Sequence, residues 1–182
     1  MTQFAGCMGH GFSKPESYCE AIQQLLDEHP PLREQMKQFY DTASEIAYDP
    51  EQEEVEQKMQ VLHEQMTTFH NNIEPHSQKE EEHLFEMMVK HIGRQGGPIA
   101  VMEQEHDLAK ENIAQFFNKY PKADLSNVNN IRELTHHVAV VFHTLTDHFM
   151  KEEEILFPMA ETMMSAEEKE ALLKKYDELE LA

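Results

Sequence analysis

The stretch HSQKEEEHLFEM, residues 76–87, returns as HFMKEEEILFPM at residues 148–159. The shared pattern is H-x-x-K-E-E-E-x-L-F-x-M, at an offset of 72 residues (148 − 76). In each copy an imidazole and a carboxylate stand four residues apart, His76 with Glu80 and His148 with Glu152. On a helix that spacing puts both groups on one face, one turn apart. Two such helices facing each other turn two His and two Glu inward. Carboxylates that bridge and imidazoles that cap are a donor set for a pair of iron or manganese ions.

Working outward from the repeat, the rest of the chain also reads as helix. Apolar residues at helical spacing run from Pro15 through Tyr18, Ile22, Leu25 and Leu26, with a kink or restart expected at Pro30-Pro31 near Leu32. Asp49-Pro50 marks a turn, and a second helix is expected from about Glu51, bending at Pro75 and resuming through Ile92. Gly93 to Pro98 is the strongest break. A third helix runs from about Ile99 to Lys119, and a fourth from about Ser126 to Ala160. Ser165-Ala-Glu-Glu168 has the capping-box pattern and opens a short amphipathic helix to about Leu179, an acidic surface that a partner could use. No segment alternates as a strand does. The expected fold is all-α: an up-down-up-down four-helix bundle with a short extra C-terminal helix. It divides as an irregular tail over 1–14, the bundle over 15–162 and the C-terminal helix over 163–182.

Two further His fall at matching depth. His29 precedes His76 by 47 residues, and His106 precedes His148 by 42. Either interval suits a return trip of roughly 20 residues each way at ~1.5 Å rise, so the four His share one level of the bundle. His63 and His70 are weaker candidates, and His70 with Glu74 makes an off-register H-x-x-x-E. His91, His136, His137 and His143 are expected outside the site. The Met-rich stretches read as helix packing.

Composition narrows the function. The 182 residues suit one domain with a real core. The net charge of −20, from 35 acidic and 15 basic side chains, repels phosphate backbones and anionic lipid. Neither nucleic acid nor membrane is an expected partner, and no apolar run reaches the ~20 residues that span a bilayer. Met1 to Gly11 lacks the basic and apolar regions of a signal peptide, and two Cys make no disulfide framework, so a cytoplasmic protein is expected. Twelve His in a helix-rich chain is the unusual number, because imidazole is a common metal ligand and not a helix former.

These motifs together resemble the hemerythrin-like (HHE cation-binding) family, and most of all the helical domain of its members implicated in iron–sulfur centre repair. The likeness covers roughly residues 20–162. It is carried by His29-PPL-Arg33-Glu34-Gln35, His76-SQK-Glu80-Glu81, Glu105-His106-Asp107 and His148-FMK-Glu152. The resemblance implies two non-haem iron ions, with Mn or Zn as lesser alternatives. It implies His29, His76, His106 and His148 as ligands and Glu80 and Glu152 as bridges. It also implies small ligands (O2, NO or peroxide) and a role in stress response or iron donation more than that of a dedicated enzyme. A di-iron oxidase, peroxidase or NO reductase, and a metal-stabilised regulatory bundle, are the alternatives. Two departures stand out. Related sites carry a fifth His, and here the matching position is Tyr48, so Tyr48 ligates, or His83 compensates, or the site is left open. The repair proteins also carry a Cys-x-Cys domain ahead of the bundle, where this sequence has Cys7-Met-Gly-His10, read as part of the tail.

Overall fold

The computed structural model describes residues 14–181. The expected tail, with Cys7 and His10, therefore lies outside the described residues except for Lys14. Five helices succeed one another, with no strand among the described residues. Helix α1 spans Glu20–Tyr48. Helix α2 covers residues 55–92 in three joined pieces: Val55–Lys79, a π-helical turn Glu80–Leu84, and Phe85–Ile92. Helix α3 spans Pro98–Lys119 and closes in a 3-10 turn, Tyr120–Lys122. Helix α4 covers 128–163 in the same three-part manner: Val128–Lys151, a π turn Glu152–Leu156, and Phe157–Met163. Helix α5 spans Ala166–Glu180.

Local chemistry sets the ends. Gly93 closes α2 at φ 75°, a conformation that costs only glycine nothing. Pro98 opens α3, where its missing N–H is not needed. The Asn127 side chain accepts the Asn129 N–H at 2.9 Å to cap α4. Ser165 and Glu168 exchange backbone and side-chain bonds in the expected capping box.

Two expectations are corrected. Helix α1 opens at Glu20 and runs unbroken through Pro30-Pro31, with no restart at Leu32. Helix α2 opens at Val55, not Glu51, and continues through Pro75. Each proline removes one backbone donor and leaves a carbonyl four residues back without it. Packing overrides that loss: Leu25, Leu32 and Met36 around the first pair, and Phe69 and Ile73 before Pro75, are all buried, each contributing about 1.5–3 kcal/mol.

In the bundle α1 packs on α2 and α4, α4 packs on α3, and α2 faces α3 across the loosest of the four sides. The interior is divided along its length. One apolar cluster fills the half containing Phe39, Met59, Phe69, Phe116 and Val141. A second fills the other half with Ile22, Leu25, Phe85, Met102 and Phe157. Helix α5 buries Leu172 and Tyr176 in that second cluster, so its apolar face closes one end of the bundle. The layer between the clusters is polar. No helix is long and apolar enough to cross a membrane.

Candidate metal centre

Each of the four main helices delivers His or Glu to that polar layer. His29 comes from α1, His76 and Glu80 from α2, His106 from α3, and His148 and Glu152 from α4. All six are at most 3% exposed. Ligand atoms of His29, His76, Glu80 and Glu152 lie within 4.8 Å of one another, as do those of Glu80, His106, His148 and Glu152. The two sets share both carboxylates, the arrangement of a binuclear site.

All four imidazoles point Nε2 inward. His29 Nε2 lies 3.4 Å from Glu152 Oε2, and His76 Nε2 lies 3.6 Å from Glu80 Oε2. His106 Nε2 is 3.4 Å from Glu80 Oε2, and His148 Nε2 is 3.0 Å from Glu152 Oε1. Yet the inner nitrogens of His29 and His76 and all four carboxylate oxygens make no hydrogen bond with proper geometry. A buried carboxylate without partners costs on the order of several kcal/mol. Six converging, unpartnered lone-pair donors of hard and borderline type fit a pair of cations in their midst.

The outward nitrogens are all engaged. His29 Nδ1 donates to Glu153 at 2.8 Å, and His76 Nδ1 to Glu28 at 2.7 Å. His106 Nδ1 donates to Glu81 at 2.5 Å, and His148 Nδ1 to Glu105 at 3.2 Å. A carboxylate can only accept, so each bond places the proton on Nδ1 and leaves Nε2 with a free lone pair in the neutral ring. Each outer carboxylate is in turn held by a cation. Arg33 donates to Glu153 at 2.7 Å and Lys79 to Glu28 at 2.8 Å. Lys110 donates to Glu81 at 2.6 Å, and Lys151 donates to Glu105. Four carboxylates and four cations make the outer layer electrically neutral.

Electrostatics separates the two shared carboxylates. Burial and the nearby charge of Glu152 push Glu80 toward its neutral form. Burial does the same to Glu152, but His148, His29 and Glu80 outweigh it and keep Glu152 well below the usual carboxylate range. Two like charges in one dry site do not both ionise freely. Burial lowers His148, yet Glu152, Glu105 and Glu80 overcome that and hold its imidazole up at about 10. Burial raises Glu81, but hydrogen bonds from His106 and Lys110 bring it down to about 2.

The π turns position these groups. Each begins at the inner carboxylate, Glu80 or Glu152. One inserted residue widens the helix locally and rotates the downstream residues by about 100°. Glu80 keeps its helical four-residue spacing from His76, while just past it Glu81 reaches His106 on α3, and Glu153 likewise reaches His29 on α1. The same rotation removes His83 from the site. On a regular helix, seven residues after His76 is the same face. Here Leu84 takes that face and is fully buried, while His83 lies 6.2 Å from the Tyr176 ring. Tyr48 is also outside both sets. It ends α1 at 92% exposure, and 19 residues beyond His29 is about 28 Å along the axis.

Sequence reasoning misses the outer layer, though its signal is in the sequence. Glu28-His29-x-x-x-Arg33 matches Glu105-His106-x-x-x-Lys110 at an offset of 77, and Lys79-Glu80-Glu81 matches Lys151-Glu152-Glu153 at 72. The molecule is two copies of a helix pair, and each copy supports the imidazoles of both.

A family model, the hemerythrin HHE cation binding domain, matches residues 20–160. Among curated proteins, the iron-sulfur cluster repair protein YtfE of Salmonella typhimurium is 32% identical over 98 residues, covering 52% of this chain and 44% of that protein. The YtfE of Salmonella paratyphi B is 34% identical over 105 residues with the same coverage. The chain thus spans less than half the length of the curated relatives it matches. No solved structure gives a significant match.

Proposed function

Because the chain belongs to the hemerythrin HHE cation-binding family, we propose that it holds two non-haem iron ions and uses them to bind or respond to O2, NO or peroxide. Under oxidative or nitrosative stress it gives up iron for the repair of iron–sulfur centres. The observation that carries this reading is the pair of four-residue sets sharing Glu80 and Glu152. The similarity to YtfE, a protein named for iron–sulfur cluster repair, supports the second half.

In this reading His29 and His76 would hold one ion, His106 and His148 the other, and Glu80 and Glu152 would contribute to both. Bound iron supplies reversible ferrous–ferric electron transfer and an open coordination position for a small ligand. The chain's own residues do the rest. The outer carboxylates fix each imidazole in its donor tautomer, and the apolar clusters on either side exclude water. With neither Tyr48 nor His83 beside the two sets, each ion would draw on two imidazoles and the shared carboxylates, a sparse donor set that would favour release over permanent retention.

The test is metal content per chain on protein purified from iron-replete cells, with an absorption spectrum in air. About two Fe with near-ultraviolet charge-transfer bands, and transfer of iron to an apo-cluster acceptor accelerated by NO or peroxide, is the expected result. One zinc per chain, or full function with redox-inert zinc, would replace it with a structural site.

A further inference from the structure

Among the described residues outside the six inner donors, Tyr176 is the one fully buried side chain whose polar atom has no hydrogen-bond partner. It enters the interior from α5, among Ile22, Leu25, Leu84 and Leu172 of the second apolar cluster. Helix α5 lies there on α1 and on the Glu80–Leu84 turn of α2. Lys79 Nζ stands 5.8 Å from the centre of the Tyr176 ring and donates to Glu28, the carboxylate that holds His76. The ring therefore abuts the outer layer on the His76 side. His83 lies 6.2 Å away, ring to ring, but the phenol makes no hydrogen bond to it.

A hydroxyl buried without a partner costs free energy that phenylalanine, with the same ring, would not. Its surroundings say what the hydroxyl is near. Burial first, then Glu80 and Glu28, with Cys19 and Glu152 adding to them, hold the phenol well above its usual value, so it keeps its proton to donate. The Glu80 oxygens are unpartnered as well. Phenol and carboxylate thus lie within electrostatic reach of each other and share no hydrogen bond, a separation that a small bridging group completes. Two divalent cations set against Glu80 and Glu152, inside a neutral outer layer, give a loaded centre a net positive charge, which favours an anion.

We propose that Tyr176 is a ligand-binding residue of the centre: its phenol O–H donates a hydrogen bond to a small anion, of the azide or hydroperoxide class, held on the Glu80 side of the polar layer. Helix α5 then does more than close one end of the bundle. It brings a neutral donor to one side of a duplicated site and makes its two halves unequal. The proposal rests on the metal-binding reading above for the anion's place, and on the buried, unpartnered hydroxyl for the donor.

Azide is the probe, and Tyr176→Phe, which keeps the packed ring, is the variant. Iron content and the spectrum without azide should match the parent protein, and the metal-free variant should melt no lower than the parent. Azide affinity of the iron-loaded variant should fall about 10–100-fold, the loss of one hydrogen bond to a charged group. The infrared stretch of bound azide should shift on exchange into D2O in the parent and stay fixed in the variant. Tyr18→Phe, which removes another unpartnered phenol oxygen, should leave azide affinity unchanged. Equal azide affinity and equal isotope shifts in parent and Tyr176→Phe, at normal iron content, overturn the proposal while the metal reading stands. A visible charge-transfer band in the parent that Tyr176→Phe loses also overturns it, by making Tyr176 a phenolate ligand. A parent protein that takes up no iron removes both readings, and that is seen before azide is added.

Discussion

The Nε2 atoms of His106 and His148, carried by different helices, lie 2.7 Å apart in the buried centre. Two neutral imidazoles cannot both present lone pairs at that distance without a proton or a cation between them. In the metal-free protein one proton between the two rings suffices: against burial, Glu152, Glu105 and Glu80 raise the pKa of His148, and Glu80 and Glu81 raise that of His106.

That relationship predicts how the metal-free protein responds to pH. The folded-state pKa values of His76, His106 and His148 are raised above the unfolded value, that of His148 to about 10. Groups raised on folding stabilise fully below the unfolded value, about 6.5, and lose that contribution as pH rises through the folded one. Denaturant melts of metal-free protein should show stability falling between about pH 6.5 and 10. Metal binding displaces the same protons, so divalent-cation affinity should rise over that window. Flat metal-free stability there would contradict the buried, protonated rings.

Glu80→Gln should move two observables in opposite directions. Burial and Glu152 raise the pKa of Glu80 on folding, which costs stability above the unfolded carboxylate value; the neutral amide removes that cost, so the metal-free variant should melt about 3–6 °C higher at pH 7. Its capacity for divalent cations should drop from two per chain to one or none. Elemental analysis and a thermal scan of the same preparation read both.

Glu105→Gln should leave the fold intact and weaken metal binding about 10–100-fold. The mechanism is loss of the charge that orients His148 through Nδ1, with Lys151 left unpaired. Glu28→Gln should act the same way through His76. Competition titrations against a chelator give the dissociation constants, and an unchanged value would make the outer layer merely structural.

Tyr48→Phe and His83→Ala should each retain full metal content and an unchanged absorption spectrum. A phenolate ligand would give a visible charge-transfer band that the Tyr48 variant loses. At 92% exposure Tyr48 is expected to change stability by no more than about 0.5 kcal/mol.

The sequence by itself determined the helical class, the five helices and their breaks. These depend on local chemistry: periodic apolar residues, Gly93 at positive φ, Pro98 at a first turn, and the Ser165/Glu168 box. It also marked all six residues of the polar layer. The duplicated H-x-x-x-E carries His76, Glu80, His148 and Glu152, and return-path spacing adds His29 and His106 to the same depth.

Tertiary structure decided what depends on rotation about a helix axis and on partners distant in sequence. The π turns at Glu80 and Glu152 shift the phase by one residue, which the periodicity of a regular helix cannot contain, and so that periodicity puts His83 on the wrong face. The prolines at 30, 31 and 75 are strong breakers locally and are overridden by packing that exists only once the bundle has closed. The outer pairs, such as Glu28 with His76 and Glu153 with His29, join residues 48 and 124 positions apart. Their identity was written in the repeats, but which carboxylate meets which imidazole is set only by four helices meeting at one level.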